Sequence, residues 1–344
     1  MKAAVLERVG DPLRIEELTI DPVRPGEVRV AFRAAGVCHS DVHQADGAWG
    51  DLDPIVLGHE GAGVIESVGP GVRDFKTGDR VTFDSTVYCN KCDMCKAGHV
   101  NLCASRRVLG VSCEDYRLDG AFAEYVAVPE YVLYRLPDSV SFQQAAMVEP
   151  LAIAYHAATR TPVTPGVCTV ILGVGTIGML TLQVVRAMGA ETVIAVDIDD
   201  EKLAAALTKG ATAIVNSRDA DVVRKILELT PGGNGADLAY DATGITQTVE
   251  ICLRSLALNG KAVLIGNLAQ KIDFPLQWVV TRQISLFGSC ASAGEYNECL
   301  RLIEEGKVDV DALISKVVPL SEGNEWINRV YAREPGLNKI VLLP

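Results

Sequence analysis

The sequence has no cluster of basic residues and lacks the apolar core of a secretory signal peptide. Its 44 Asp and Glu outnumber its 32 Lys and Arg, which gives a formal net charge of −12 at pH 7. Nucleic acids and anionic membranes repel such a chain. The N-terminal segment alternates between apolar and charged residues, unlike an export signal. We therefore expect no nucleic-acid partner, no membrane partner and a cytoplasmic location.

One segment, residues 161–185, contains no charged residue and has the length of a membrane span. However, Pro162, Pro165, Gly166 and Gly173 interrupt it. These residues divide the segment into a loop, a buried strand and a helix, which is typical of the interior of an α/β domain. The sequence therefore favours a buried α/β unit over a membrane span.

Ten cysteines in a chain without an export signal favour metal binding over disulfides, because the cytosol keeps thiols reduced. Four of them, Cys89, Cys92, Cys95 and Cys103, lie in one polar loop with the spacing C-x2-C-x2-C-x7-C. Four thiolates at this spacing suit a closed, structural zinc site better than a redox dithiol. Most of the scattered cysteines are expected to be small buried residues: Cys113, Cys168, Cys252, Cys290 and Cys299.

A chain of 344 residues is expected to form two domains. Roughly the first 150 residues read as short strands joined by turns, which predicts a β-rich, barrel-like unit. From Cys168 onward, strands alternate with helices, so this part predicts a parallel sheet covered on both faces. The terminal strand, KIVLLP, needs a partner, and we expect it to pair with the N-terminal β unit.

A glycine-rich turn, Gly173-Val174-Gly175-Thr176-Ile177-Gly178, follows a predicted strand and opens a helix. In this context the glycines allow a pyrophosphate to approach the backbone at the helix N-terminus. Asp197 ends the next strand, about 20 residues further on, where its carboxylate would accept hydrogen bonds from ribose hydroxyls. A 2′-phosphate would be repelled there, so the sequence predicts NAD rather than NADP.

A catalytic zinc needs about three protein ligands and an exchangeable position. Cys38, His59, Glu60 and Glu149 are the candidates outside the four-cysteine loop, since they mix soft and hard donors. Their spacing alone does not join them into one site. At this point the residues leave open which of them share a metal.

The motifs taken together resemble the zinc-dependent medium-chain dehydrogenases along nearly the whole chain. The similarity lies in GVCHSDVH, in GHEGAGVIESVGPGVRDFKTGDRV, in the four-cysteine loop, and in GVGTIG with Asp197 and Lys202. The pair His59-Glu60 with MVEP at 147–150 resembles the sorbitol dehydrogenase branch. The resemblance implies an α/β protein with a β-rich GroES-like catalytic domain (1–152 and 290–344) and a Rossmann doubly wound parallel sheet (153–289).

The resemblance also implies the functional residues, with two zinc ions per chain. Cys38, His59 and Glu60 would bind the catalytic zinc, and Glu149 would replace Glu60 in another state or hold water or substrate. Ser40 and His43 occupy the proton-relay positions. The cofactor-binding residues would be Gly173, Gly175, Thr176, Ile177, Gly178, Asp197, Lys202, Leu264, Ile265, Gly266, Phe287, Gly288 and Ser289.

The expected activity is NAD-dependent oxidation of a secondary alcohol, a polyol or vicinal diol, to a ketone by a homodimer or tetramer. Gln44 and Cys290-Ala291-Ser292 depart from the polyol-binding pattern and count against sorbitol itself. Trp49 is expected either to line the pocket or to belong to the core. L-Threonine, butanediol and sugar-alcohol phosphates are alternative substrates for the same apparatus. A non-catalytic NAD- and zinc-binding protein is the alternative from another functional class.

Overall fold

The computed structural model describes residues 1–20, 22–48, 54–111 and 117–344, so Trp49 and Cys113 lie outside the described residues. The chain forms two compact units. One comprises Met1–Glu149, Ala293–Glu304 and Val310–Pro344, and the other comprises Pro150–Ser292 and Glu305–Asp309. The boundaries expected from the sequence, 152/153 and 289/290, lie three residues from these and stay predictions.

The first unit begins with short strands and few helices. Its strands up to residue 135 are β1 (Lys2–Leu6), β2 (Arg14–Glu17), β3 (Glu27–Val37), β4 (Ile55–Val56), β5 (Glu60–Val68), β6 (Arg80–Phe83), β7 (Thr86–Val87), β8 (Arg107–Leu109), β9 (Arg117–Leu118), β10 (Tyr125–Pro129) and β11 (Leu133–Arg135). Its helices are α1 (His39–Ala45), α2 (Asp93–Lys96) and α3 (Phe142–Ala146). Helix α4 (Val148–Thr159) leads into the second unit.

The long strand β3 is the centre of the first unit. It pairs with β5 along one edge and with β10 along the other, antiparallel in both cases. Phe32 on β3 packs against Phe83 on β6, with ring centroids 5.7 Å apart, and both are buried. The sheet therefore holds the ends of β3 and β5, where several predicted site residues lie, against a packed apolar core.

The second unit is a parallel sheet with helices between its strands. Its elements are β12 (Cys168–Leu172), α5 (Thr176–Ala187), β13 (Thr192–Asp197), α6 (Asp200–Thr208), β14 (Ala213–Asn216), α7 (Val222–Leu229), β15 (Ala236–Asp241), α8 (Thr246–Arg254), β16 (Leu256–Leu264), α9 (Leu276–Arg282) and β17 (Ser285–Gly288). The strand order is β14-β13-β12-β15-β16-β17, so the order reverses at β12. This confirms the predicted doubly wound sheet, whose reversal point is where such folds bind ligands.

The uncharged segment 161–185 contains β12 and most of α5, as its prolines and glycines predicted. Every residue of β12 is buried, because helices cover both faces of a parallel sheet. Helix α5 ends at Ala187, and Gly189 follows in the left-handed conformation with φ +107°. Within the described residues, no helix has the length and apolar character needed to cross a membrane.

The chain ends in the first unit. The remaining elements are α10 (Tyr296–Glu304), β18 (Ile314–Pro319), α11 (Gly323–Tyr331) and β19 (Lys339–Leu343). Strand β19 pairs antiparallel with the end of β3, with Val341 opposite Gly36, and parallel with β18. The expectation that the terminal strand pairs with the N-terminal β unit is confirmed.

Candidate metal centre and nucleotide-binding loop

Cys38, His59 and Glu60 come together at one end of the β3–β5 pair. Cys38 follows β3 and caps helix α1, while His59 immediately precedes β5 and Glu60 is its first residue. One donor atom from each residue lies within 4.8 Å of the others, and His59 and Glu60 are buried. A thiolate, an imidazole and a carboxylate form a donor set that fits zinc. The antiparallel register, with Gly36 opposite Glu60, produces this proximity.

Asp41 holds the two ligand-bearing segments together, and the sequence reasoning missed it. One carboxylate oxygen accepts the backbone N–H of Gly58 at 3.1 Å and lies 3.3 Å from His59 Nδ1. The other accepts the backbone N–H of Cys38 at 2.8 Å. The side chain is fully buried. This contact leaves His59 Nε2 to bind a metal, and the Asp three residues after Cys38 was the available signal.

The same carboxylate controls the protonation of His59. Burial alone would lower the pKa of His59, but the charge of Asp41 and the contacts with Asp41 and Cys38 outweigh it and hold that pKa well above 6.5. A metal ion has to displace this proton, because only neutral imidazole is a ligand. Asp41 therefore makes the imidazole more basic and orients it.

Gly58 gives the backbone before His59 a conformation that other residues avoid. Its φ is +96°, and a Cβ there would lie 2.4 Å from the ring of Phe122. Gly110 and Gly120 pack against its carbonyl oxygen, where added Cβ atoms would approach to 2.0 and 2.1 Å. The strand entrance that carries His59 is thus fixed by close backbone contacts.

Lys339 forms a buried ion pair with Glu60, which the sequence gave no means of finding. Its Nζ lies 2.6 Å from Oε1 and 2.7 Å from Oε2. The exposed fractions of the two side chains are 3% and 0%. The partners are 279 residues apart in the chain, so only the pairing of β19 with β3 brings Lys339 to this place.

Glu149 lies in the first turn of α4 and is buried. Burial raises its pKa, the charges of His59 and Lys339 lower it, and the charges of Glu60 and Asp84 raise it; the net result is a pKa of about 7. Glu149 is not one of the three residues whose donor atoms converge within 4.8 Å. The structure therefore brings it into the electrostatic neighbourhood of the centre as a carboxyl that titrates near neutral pH.

Ser40 and His43 lie three residues apart on α1 and therefore on one face of it. The thiol of Cys38 lies 3.6 Å from Ser40 Oγ, and His43 Nδ1 lies 3.8 Å from Asp46 Oδ2. Gln44, on the same helix, is fully buried. Ser40 is thus adjacent to a predicted metal ligand, and His43 is only partly buried.

The four-cysteine loop forms a second cluster, in which donor sulfurs from Cys89, Cys92, Cys95 and Cys103 lie within 4.8 Å of one another. Cys92 caps the short helix α2, and its N–H points to Cys89 Sγ at 3.4 Å. Backbone N–H groups of Lys91 and Cys92 lower the pKa of Cys89 to about 6. The backbone is thus arranged to favour a thiolate, the form that binds zinc.

The described cysteines outside the two clusters differ in their exposure to solvent. Cys168, Cys252 and Cys299 are buried, as expected for small apolar residues, whereas Cys290 is exposed. All nine described cysteines are free thiols. No disulfide therefore competes with metal binding among them.

The glycine-rich turn has the geometry of a phosphate-binding loop. Gly173 has φ +80°, Gly175 caps α5, and a Cβ on Gly178 would lie 1.7 Å from the carbonyl oxygen of Gly173. Asp197 ends β13, and its Oδ2 accepts the N–H of Val174 at 2.7 Å. The N-terminus of α5 is therefore open to an anion, with the ribose-binding carboxylate candidate fixed beside it.

The other predicted cofactor residues lie where parallel strands end. Leu264 ends β16 and Gly288 ends β17, and the N–H of Ser289 donates to the carbonyl of Leu264 at 3.0 Å. The remaining predicted positions are Thr176 and Ile177 at the start of α5, Lys202 in α6, Ile265 and Gly266 after β16, and Phe287 in β17. Because carboxyl ends of parallel strands share one edge, these residues surround the same side of the sheet as the glycine loop.

Asp241, which the sequence reasoning did not single out, organises this edge. It ends β15, is fully buried, and accepts the N–H groups of Thr243 at 3.2 Å and Gly244 at 2.9 Å. A Cβ on Gly244 would lie 2.3 Å from the backbone of Gly266. These contacts fix the turns after β15 and β16.

The comparisons with known proteins agree with this geometry. The family model of the alcohol dehydrogenase GroES-like domain matches residues 24–138, and that of the zinc-binding dehydrogenases matches residues 176–305. Sorbitol dehydrogenase of Bacillus subtilis (strain 168) is 32% identical over 349 residues, covering 100% of this chain and 97% of that protein. D-xylulose reductase A of Aspergillus niger is 35% identical over 316 residues, covering 90% and 87%.

The solved structures give the same result. Galactitol-1-phosphate dehydrogenase from Escherichia coli superposes with a TM-score of 0.91 at 28% identity and covers 100% of both chains. The chain therefore belongs to the zinc-dependent medium-chain dehydrogenases, and within that family it resembles the sorbitol dehydrogenase branch, as the motifs predicted.

Proposed function

We propose that this dehydrogenase oxidises a secondary alcohol of a polyol or vicinal diol to a ketone and passes the hydride to NAD. The observation that carries the proposal is the convergence of Cys38, His59 and Glu60 donor atoms within 4.8 Å. A zinc ion bound there supplies Lewis acidity that favours loss of the alcohol proton, and NAD supplies the hydride acceptor.

The residues of α1 supply the route for that proton. Ser40 Oγ, beside Cys38, accepts the proton of the alcohol and transfers its own to His43, which is closer to solvent. Both groups can donate and accept protons, and their spacing places them on one face of the helix. Asp41 holds Cys38 and His59 in place while this happens.

Glu149 is assigned to substrate binding. With a pKa raised to about 7 by burial, its carboxyl is partly protonated at neutral pH and can donate a hydrogen bond to a second hydroxyl of a diol. The alternative role, replacing Glu60 as a metal ligand, uses the ionised form. Either role needs a carboxyl at this position.

Asp197 favours NAD over NADP. Its carboxylate is anchored by the N–H groups of Val174, Ile198 and Asp199 at the end of β13. A fixed negative charge accepts the ribose hydroxyls of NAD and repels the 2′-phosphate of NADP. Replacing Asp197 by Ser should therefore raise the relative rate with NADP.

The substrate class follows from the relatives named above, which are a sorbitol dehydrogenase, a D-xylulose reductase and a galactitol-1-phosphate dehydrogenase. Gln44 and Cys290-Ala291-Ser292 still count against sorbitol itself. Butanediol, L-threonine and sugar-alcohol phosphates remain candidates for the same apparatus. The non-catalytic alternative is disfavoured, because it would not need the buried arrangement of Asp41, His59 and Lys339.

The chain is proposed to form a homodimer or tetramer. Strand β17 ends the parallel sheet, so one of its edges has no neighbouring strand within the described residues. Leu276, Val280 and Leu286 near this edge are 64%, 64% and 38% exposed. Pairing with the same edge of a second copy would satisfy the backbone groups and cover these side chains. Leu286→Lys should shift the mass in solution toward the monomer.

The proposed cytoplasmic location is supported by the chemistry of the loop thiols. Four cysteines whose sulfurs converge within 4.8 Å bind zinc only while they are reduced. A reducing compartment preserves that state. Localisation of a tagged chain in cell fractions tests the proposal.

The function is tested by incubating the purified protein with NAD and a panel of sugar alcohols, their phosphates, butanediol and L-threonine while following NADH absorbance. We expect turnover with at least one polyol or diol and little with NADP. Metal content is measured in parallel, and it should be two zinc ions per chain, one for each donor cluster. If no substrate of the panel yields NADH although both zinc ions and NAD are shown to be bound, the proposal is rejected.

A further inference from the structure

Two buried polar atoms of the first unit have no hydrogen-bond partner among the described residues, Asp84 Oδ2 and the hydroxyl oxygen of Tyr296. The two residues are 1% and 0% exposed. The other carboxylate oxygen of Asp84 accepts the N–H of Thr86 at 2.9 Å. Folded proteins pair nearly all of their buried polar groups, because an unpaired group loses its hydrogen bonds to water without replacement. Two such groups in one region therefore indicate a place that binds a polar ligand.

The fold connects these two residues through Tyr134. Strand β11 pairs with β6 so that Tyr134 lies opposite Thr82, and the N–H of Asp84 continues the ladder beyond this pair. Side chains two residues apart on a strand face the same side, so Asp84 shares the face on which Tyr134 lies. The ring of Tyr134 stacks on that of Tyr296 at the start of α10, with ring centroids 4.7 Å apart. The carboxyl and the phenol therefore belong to one cluster.

Glu149 connects this cluster with the metal centre. Burial raises the pKa of Tyr296 well above 10, and the negative charges of Asp84 and Glu149 raise it further. Burial also raises the pKa of Glu149, and the charges that act on it include those of Asp84 and of Glu60 in the metal centre. The Coulomb energy falls with distance, so these side chains lie near one another. A substrate that extends from the metal along Glu149 therefore reaches Asp84 and Tyr296.

The chemistry of the cluster fits a hydroxyl group. Burial raises the pKa of Asp84, the N–H of Thr86 lowers it and the charge of Glu295 raises it, which gives a pKa of about 7. A carboxyl that is partly protonated at neutral pH and a phenol can each donate and accept a hydrogen bond, as an alcohol does. The charges of Glu149 and Glu295 act on this cluster and repel a phosphate or a carboxylate. A methyl group would leave the polar atoms unpaired.

We propose that Asp84 and Tyr296 form a subsite for a hydroxyl of the substrate beyond the reacting diol. The subsite selects an uncharged polyol over butanediol, which has no further hydroxyl, and over L-threonine and sugar-alcohol phosphates, which carry an anionic group. This inference rests on the proposed function and deepens it, since it chooses among the substrates that the catalytic apparatus alone leaves open. Binding at the subsite transfers no proton or electron, so the two residues determine specificity.

The test compares Tyr296→Phe with the parent enzyme, both loaded with zinc and NAD, using xylitol, galactitol and 2,3-butanediol as substrates. The substitution removes only the unpaired hydroxyl and keeps the ring that stacks on Tyr134. We expect kcat/KM for the sugar alcohols to fall about tenfold through loss of a hydrogen bond, while kcat/KM for butanediol stays at the parent value. The parent enzyme should favour the sugar alcohols over butanediol.

Tyr240→Phe is the matched control, because it removes a phenolic hydroxyl from the other unit, where that hydroxyl lies 3.0 Å from Thr161 Oγ1. It should lower Tm, since it breaks a hydrogen bond, and leave the ratio of kcat/KM between sugar alcohols and butanediol unchanged. Tyr296→Phe should change this ratio without lowering Tm, since its hydroxyl is unpaired in the protein without substrate. The opposite responses separate recognition of the substrate from support of the fold.

Asp84 supplies a second pair of variants. Asp84→Ala removes the other polar group and should reduce the preference for sugar alcohols by a similar factor, whereas Asp84→Asn keeps a donor and an acceptor and should retain the preference. Binding is also measured without turnover, because a bound sugar alcohol stabilises the folded state. An excess of sugar alcohol should raise the Tm of the parent more than that of Tyr296→Phe or Asp84→Ala.

Three outcomes contradict different parts of the scheme. If folded Tyr296→Phe and Asp84→Ala both keep the parent ratio, the two groups hold buried water only and the inference is overturned. A parent enzyme that prefers butanediol, L-threonine or a sugar-alcohol phosphate also overturns it, while oxidation of a secondary alcohol still stands. An enzyme that binds zinc and NAD but forms no NADH with any of these substrates instead refutes the proposed function.

Discussion

The two candidate metal sites of the first unit are built in opposite ways. The loop site takes all four donors from residues 89–103, and three of its four cysteines are only partly buried. The other site takes Cys38, His59 and Glu60 from separate ends of strands, with support from Asp41 and from Lys339 at the far end of the chain. The loop site is formed by one short segment, whereas the buried site forms only when the strands of the sheet have paired.

The two sites also differ in whether they leave a coordination position for a substrate. Four thiolates saturate a tetrahedral zinc, so the loop site has no position for substrate. The buried site has three donors, and one of these is already bound by a lysine. The buried site needs donors from segments that are distant in the chain, and only the tertiary structure brings these together.

Cys38→Ser should produce the largest effect. Loss of the thiolate weakens the buried site and should lower turnover about a thousandfold, because metal polarisation contributes several kcal/mol to the transition state. Steady-state NADH formation measures the loss, and metal analysis should still find the loop zinc. Cys252→Ala, in the core of the other unit, is the control and should keep near-parent turnover. Equal losses in both variants would show that the effect is structural.

Cys103→Ser should break the loop site and leave the buried site in place. The zinc that closes this polar loop contributes to folding, so we expect one zinc fewer and a fall in Tm on the order of 10 °C. Differential scanning calorimetry measures the change. Turnover at 25 °C should fall far less than in Cys38→Ser. A large loss of turnover with an unchanged Tm would contradict the division of roles.

Asp84→Asn should reveal how one buried carboxyl of the first unit makes the stability depend on pH. Asp84 follows β6, and burial, with the charge of Glu295, raises its pKa from 3.8 to about 7. The folded state therefore keeps a proton that the unfolded state loses above about pH 4, so stability declines as the pH rises toward 7. The Asn variant should be about 2 kcal/mol more stable than the parent at pH 8.

The control for Asp84→Asn is the same comparison at pH 4, where both proteins carry an uncharged group and should unfold at similar denaturant concentrations. Asp84 Oδ1 accepts the N–H of Thr86 at 2.9 Å, a contact that the Asn side chain can keep. Urea unfolding at several pH values supplies the measurement. A stability difference that is independent of pH would mean that the carboxyl has the same pKa in the folded and unfolded states.

Asp41→Asn should have a smaller effect, confined to the buried site. The neutral amide no longer raises the basicity of His59. Loss of such a partner of a metal ligand lowers the metal affinity about tenfold or somewhat more. Competition with a chelator measures the affinity, with the loop zinc as internal reference. Equal weakening of both sites would show that Asp41 acts on the fold and not on the ligand.

Some elements follow from local pattern alone. The parallel sheet was predicted because short, mostly apolar strands such as CTVIL alternate with helices along the chain. The glycine turn before α5 was predicted because its three glycines lie within six residues between a predicted strand and a predicted helix, and the structure shows a steric need at Gly173 and Gly178. The four-cysteine loop was recognisable because its donors are adjacent in the chain.

The sequence by itself determined these local features, along with the family, since helix period, turn chemistry and ligand spacing all act over a few residues. Only the tertiary structure decided that Asp41 joins Cys38 to His59 and that Lys339 binds Glu60 across Gly36. Those contacts depend on strand register, and register is set by the packing of the whole sheet. A lysine 279 residues from its partner has no local signal that a sequence pattern could carry.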